Sequence, residues 1–307
     1  MATTTFLLPP DAYYSRKWWE HEQRALFGRS YNLVAYASDL QKAGDRVVTQ
    51  VGGPTIVVER QADGDIVAFV RGPDGTGLRP AAVGRWAGMI FAHPGPGAPR
   101  FEEWLGEFVQ PDKGGDFDWD RLVEVDRIIV PLRCNWKLYI ENHVDIYHLW
   151  YLHDESLGMY DHLSLEWWEA GRHWGCVESL RPGSVRQRPG MRPIQALADS
   201  ERTLLRANLI FPNVPMTTMC TSVVTYQVVP TGPETCYLDL RVRGEAGSAV
   251  EDRSAFLRVQ RDEDGGACEE IQRGVRSPWF SVGPIAQVHE LPIQRFHEHL
   301  LAHLGPA

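Results

Sequence analysis

Residues 135–153 read N-W-K-L-Y-I-E-N-H-V-D-I-Y-H-L-W-Y-L-H, and the rest of the chain is best understood as a frame for them. Trp136, Ile140, Val144, Tyr147 and Trp150 recur at close to the helical period, which predicts a helix over 136–151. Asp145, His148 and His153 form the pattern D-x-x-H-x-x-x-x-H. Two imidazoles with carboxylates nearby are the ligand set of a mononuclear non-haem Fe(II) site that keeps positions open for O2 and substrate. Zinc accepts the same donors and is the competing metal. Asp145 and His148, three apart, share one helix face. His148 and His153, five apart, differ by about 140° at roughly 100° per residue, so an undistorted helix cannot aim both at one ion. Either the helix ends after Trp150 or it carries a π-type widening, and such widenings cluster at functional sites. The zincin pattern H-E-x-x-H is absent. His143, His148 and His153 could equally be polar positions on an ordinary amphipathic helix, so spacing alone leaves both readings open.

Downstream, residues 160–174 read as loops rich in aromatics (Tyr160, Trp167, Trp168, Trp174), with His162 and His173 read as solvated loop residues in preference to residues lining a cavity. The Pro-, Gly- and Arg-rich stretch 181–202 reads as a mobile loop, a candidate lid. From Leu204 three apolar runs separated by turns at Pro212-Asn213 and 231–233 predict successive antiparallel strands. Residues 247–274 are expected to be mostly helical and 288–304 to form a last helix, with His297, His299 and His303 on its surface. Upstream, Pro9-Pro10 and Gly28 punctuate a helix over 11–28. Three short strands follow over 45–70, with Asp63-Gly64 as a hairpin signal. A short helix over 101–109, a polar loop over 111–120 and a strand over 123–132 lead back to the opening stretch. His21 reads as a surface residue and His93 as a strand-end residue.

The chain has 307 residues, 43% hydrophobic and 23% charged, which predicts a packed globular core. Its net charge of −9 argues against general binding to nucleic acid or anionic membrane. No run reaches the length of a membrane span and the N-terminus lacks a signal-peptide pattern. Five scattered cysteines (Cys134, Cys176, Cys220, Cys236, Cys268) read as reduced thiols of a cytoplasmic protein.

The run N-W-K, then E-N, then D-x-x-H-x-x-x-x-H resembles the iron-site segment of the large (alpha) subunits of Rieske-type ring-hydroxylating oxygenases. The resemblance implies an α+β chain. A helix-grip catalytic domain over 106–307, an antiparallel sheet packed on a long helix, would leave a cavity between the two. Residues 1–105 would be an N-terminal helix and a truncated β-rich remnant of a Rieske domain. It implies His148 and His153 as iron ligands, Asp145 as the relay for electrons from a neighbouring subunit's cluster, and Asn142 as a residue close to the iron. The alternative role for Asp145 is to orient His148. The family's third ligand is an Asp eight residues before a Gln in an E-x-x-Q-x-G run, which from Gln272 gives Asp264; Asp262 and Glu263 are the alternatives. Gly265-Gly266 beside it would weaken a helix by about 1 kcal/mol each relative to Ala, so a break just beyond the ligand is expected.

The chain departs from the family where the C-x-H and C-x-x-H motifs of the [2Fe–2S] cluster should stand. Phe69-Val70 runs instead into R-G-P-D-G-T-G-L-R-P, and V-G-R-W-A-G-M-I-F-A-H-P then resembles the strand after the cluster. No Rieske cluster is expected. The function implied is that of an Fe(II)-dependent oxygenase acting with O2 on a small, aromatic or cyclic molecule. Its electrons would come from the substrate or from a cluster-bearing partner, in a homo-trimer or a hetero-oligomer. Redox-neutral hydrolysis or lyase chemistry on the same triad, and a non-catalytic ligand-binding or scaffold subunit, are the competing classes.

Overall fold

The computed structural model describes residues 7–50, 53–72, 77–109, 119–184, 189–286 and 288–305. Two antiparallel sheets carry it. The first contains β1 (Asn32–Tyr36), β2 (Arg46–Gln50), β3 (Thr55–Arg60), β4 (Ile66–Arg71), β5 (Leu78–Trp86) and β6 (Met89–His93), in the order β1-β6-β5-β4-β3-β2. The second contains β7 (Val123–Leu132), β8 (Tyr160–Ala170), β9 (His173–Leu180), β10 (Leu204–Ile210), β11 (Val214–Met219), β12 (Ser222–Gly232) and β13 (Thr235–Gly244), in the order β7-β13-β12-β11-β10-β9-β8. The helices are α1 (Arg16–Ala25), α2 (Phe101–Leu105), α3 (Trp136–Val144), α4 (Ser254–Leu257), α5 (Asp264–Val275) and α6 (Leu291–Leu304), with a π-helical segment, Arg258–Glu263, joining α4 to α5.

Alternation along β12 shows how the layers stack. Side chains two apart point to the same face of a sheet. Thr225 and Gln227 meet the first sheet, through Tyr36 Oη–Thr225 Oγ1 at 2.7 Å and Gln227 Nε2 donating to the Leu33 carbonyl at 2.6 Å. Val224, Tyr226 and Val228 face the other way, into the core shared with α3, α5 and α6. With both faces covered, β12 is buried from Ser222 to Pro230. A second core, between the sheets, joins Leu33, Phe91, Phe101 and Trp104 to Ile210, Val214 and Val223.

Several expectations are corrected. The helix of the opening stretch ends at Val144, before Asp145, and Tyr147–Trp150 form a separate 3-10 turn. Asp145 is extended, and its carboxylate accepts the main-chain N–H of Tyr147 (2.7 Å) and His148 (3.2 Å), an Asx-type turn that replaces helical bonding. The expected aromatic loops of 160–174 are β8 and the start of β9. The segment V-P-M-T-T-M is a strand, β11, that its proline had hidden. Residues 78–93 make two strands around a turn with Ala87 (φ 53°) and Gly88 (φ 74°).

Gly265-Gly266 does not break the helix. A Cβ at Gly265 would stand 2.7 Å from Leu132 Cδ2, so glycine lets α5 approach β7, and α5 runs on to Val275. The described part of 181–202 is not a lid. Ile194 is fully buried in the second core and bonded to the Cys220 carbonyl, and Leu197 packs beside it. Residues 185–188 of that loop, 111–118 of the polar loop and 73–76 of the Gly/Pro turn lie outside the described residues. His162, His173 and His297 are buried, each through a partner distant in sequence: Glu178, the Trp104 carbonyl and Glu141. His21, His299 and His303 are half-buried, while His93 ends β6 as expected.

Candidate metal centre

The turn after α3 and the start of α5 bring His148, His153 and Asp264 together. One ligand atom from each lies within 4.8 Å of the others, and the set could hold a metal ion. Each imidazole is fixed through Nδ1 so that Nε2 faces the centre. His148 Nδ1 is 2.8 Å from the main-chain carbonyl of Asp145, and Nε2 is 3.7 Å from Asp264 Oδ1. His153 Nδ1 is 2.8 Å from Glu263 Oε2, and Nε2 is 2.9 Å from Asp264 Oδ1. Asn142 Nδ2 donates to the same Asp264 oxygen at 2.8 Å. A ring nitrogen tied to a carbonyl or carboxylate sets the tautomer of a metal-binding histidine, so this donor set fits a divalent cation.

The π-type widening foreseen for the histidine segment lies instead at Arg258–Glu263, directly before Asp264. It lets two consecutive residues, Glu263 and Asp264, reach opposite nitrogens of one ring. Glu263 is also held by Ser156 Oγ at 2.5 Å and Arg258 Nε at 2.8 Å, which makes it the partner of His153. Asp262 is paired with Arg261 and points away. Gln272, the register marker, serves the structure, since its Oε1 accepts the Asn135 N–H that starts α3.

Burial pushes His148 down to about 4 and, against two main-chain hydrogen bonds, Asp145 up to about 7. Burial pulls His153 down as well, but Asp264 and Glu263 outweigh it and raise the ring; the same pairing holds Asp264 below the usual carboxylate range despite its burial. A proton and a metal cation thus compete for the His153–Asp264 pair.

The donors line one wall of a cavity of about 110 Å³ between α3, α5 and the second sheet. Its other walls include Leu165, Trp174, Leu205, Met219, Tyr226 and Phe256, together with His143 and Glu178. His143, buried and pushed down to about 4 by that burial, bonds the Asn208 carbonyl through Nε2 at 3.0 Å. Sequence reading passed over His143, Glu178 and Gln260 as lining residues. His143 sits in the quoted stretch, whereas nothing in the pattern marks Glu178 or Gln260.

Comparison with known proteins makes the chain an oxidoreductase of the non-haem iron oxygenase class that acts on small molecules, with which the donor set is consistent. The chain belongs to the family of ring hydroxylating alpha subunits (catalytic domain), whose model matches residues 119–305. Choline monooxygenase, chloroplastic, of Beta vulgaris is 23% identical over 354 residues, covering 95% of this chain and 76% of the relative. The carnitine monooxygenase oxygenase subunit of Acinetobacter pittii (strain PHEA-2) is 24% identical over 187 residues, 46% of this chain and 50% of the relative. A quaternary ammonium Rieske monooxygenase in complex with an inhibitor superposes with a TM-score of 0.81 at 17% identity, covering 98% of this chain and 95% of that one. Naphthalene 1,2-dioxygenase from Rhodococcus sp. does so at 0.75 and 17%, covering 97% and 94%. At these identities the structural matches speak for the fold.

Proposed function

We propose that His148, His153 and Asp264 hold Fe(II), and that the protein oxygenates a small, aromatic or cyclic molecule in the adjoining cavity with electrons from a cluster-bearing partner subunit. One observation carries this reading: two imidazole Nε2 atoms and one carboxylate, each with its own orienting hydrogen bond, converge on one wall of a mainly apolar cavity. Fe(II) at that place supplies O2 activation with open coordination positions. The chain's own residues do the rest. Asn142 keeps one Asp264 oxygen engaged, Glu263 and the Asp145 carbonyl aim the two imidazoles, and Leu165, Trp174, Leu205 and Phe256 exclude water and confine the substrate.

Two features support a partner as the source of electrons. The first cysteine of the chain is Cys134, so residues 1–133 offer no thiolate for a [2Fe–2S] cluster. The alignment with the Beta vulgaris relative is also longer than this chain, so that relative carries residues this chain lacks. On the surface, a groove of about 590 Å³ runs from Asp145 and His148 outward past the exposed Tyr151, Ile271, Phe280 and Val282. We assign it to the partner's docking face, with Asp145 at its inner end as the relay. Solved work on a related quaternary ammonium monooxygenase concerns inter-subunit electron transfer. We assign the protein to a reducing compartment such as the cytoplasm, a reading that its five scattered cysteines support.

The test is to measure iron, zinc and acid-labile sulfide on the purified protein and on H148A and H153A. The reading expects about one iron per chain in the wild type, no sulfide, and loss of iron in both variants. Zinc in place of iron, or iron retained by both variants, overturns it. Sulfide at cluster stoichiometry overturns the partner assignment.

A further inference from the structure

The cavity beside the three donors holds one more buried carboxyl group. Glu178, on β9, lines the same space as His148, His153 and Asp264 and is 2% exposed. Its Oε2 is 2.6 Å from Nδ1 of His162, itself 5% exposed. The other ring nitrogen, Nε2, is buried with no partner among the described residues. The short contact with His162 fixes the Glu178 carboxyl group on the cavity wall. The bond to His162 uses Oε2 and leaves Oε1 for a ligand.

The rest of the wall suits a carboxyl group that meets a cation. Among the described residues, no Lys or Arg lines the cavity. Tyr139 donates its hydroxyl to Gln260 and Tyr226 pairs with Thr217, both at 2.5 Å, so the polar ends of both rings are engaged with protein partners. With Trp174 they supply aromatic surface beside a carboxylate, the surround that attracts a cationic nitrogen. A divalent ion on the triad would offset Asp264 and leave Glu178 in place.

We infer that Glu178 is a specificity-determining carboxylate, positioned by His162, and that the molecule taken by this site carries a positively charged nitrogen, an ammonium or alkylated ammonium group. This rests on the reading that the cavity beside the triad is the substrate site.

The test is equilibrium binding to the iron-loaded protein at pH 7.5, with two cations each compared with a neutral molecule of similar shape: benzylamine with benzyl alcohol, and tetramethylammonium with neopentyl alcohol. At least one cation should bind ten-fold or more tighter than its neutral counterpart. The preference should vanish in Glu178→Gln and persist in Glu178→Asp, which also guards against a folding defect in the first variant. A purely structural His162–Glu178 pair would lower the melting temperature of Glu178→Gln without moving the preference. Equal binding of cation and neutral molecule, no binding of either cation, or a preference that survives Glu178→Gln overturns the inference. Iron content on the same samples separates two failures. Iron retained without cation preference sinks this inference alone, whereas a wild-type protein that holds no iron sinks the metal reading beneath it.

Discussion

His153 is gripped on both ring nitrogens, and the two grips differ in kind. Asp264 faces the centre at Nε2, while Glu263 holds Nδ1 from behind. Removing such an orienting carboxylate weakens metal binding by about 10- to 100-fold in comparable sites. Glu263→Ala should do so in a chelator competition with Fe(II), and Glu263→Gln, which keeps an acceptor, should recover most of the affinity. His148 behaves differently, because a main-chain carbonyl orients it. Asp145→Asn should therefore keep its iron within about two-fold, since the carbonyl is untouched, and lose partner-driven turnover. Iron lost from Asp145→Asn would show that the carboxylate, rather than the carbonyl, places His148. The family resemblance implies a relay at Asp145, and the sequence leaves the orienter role as an equal reading. The distinction lies in which oxygen of the residue meets the ring, and no sequence states that.

At the scale of elements, α5 shows why adjacent glycines need separate explanations. A Cβ at Gly265 would press on Leu132 Cδ2 at 2.7 Å and on the Gln260 carbonyl at 3.1 Å, whereas at Gly266 it would meet nothing within 4 Å. Gly265→Ala should cost about 1–3 kcal/mol by overpacking, and Gly266→Ala should stabilise by up to about 1 kcal/mol through helix propensity. Urea midpoints of the two variants moving in the same direction would refute this account. The strands 46–50, 66–71 and 123–132 were legible because their apolar alternation is local. The early end of α3 was not, since Tyr147 and Trp150 continue the helical period in aromatic side chains of a turn that Asp145 shapes. The burial of His162, His173 and His297 was also illegible, because each depends on a partner that only the folded chain brings near.

At the scale of the whole molecule, His173 ties the N-terminal part of the chain to the second sheet. Its Nε2 is 3.2 Å from the Trp104 carbonyl at the end of α2, and its Nδ1 accepts the Phe211 N–H at 3.1 Å, which requires the neutral ring with the proton on Nε2. Burial drives its pKa down to about 3. The folded value lies below the unfolded one of about 6.5, so this contribution is complete above pH 6.5 and is lost as pH falls toward 3. Wild-type stability should decline below pH 6.5, with His173 accounting for up to about 1.4 kcal/mol per pH unit. His173→Gln should be less stable at pH 7.5 and show a shallower decline. An unchanged slope in denaturant titrations from pH 7.5 to 4.5 would remove His173 from the account.

The widened helix before Asp264 holds one residue more than a regular helix needs, accommodated without an extra turn. Deleting Val259 would close the widening and give a locally more regular helix, while carrying Asp264 round by about 100° and away from His153. Here a single-codon loss would leave a well-folded chain without its centre.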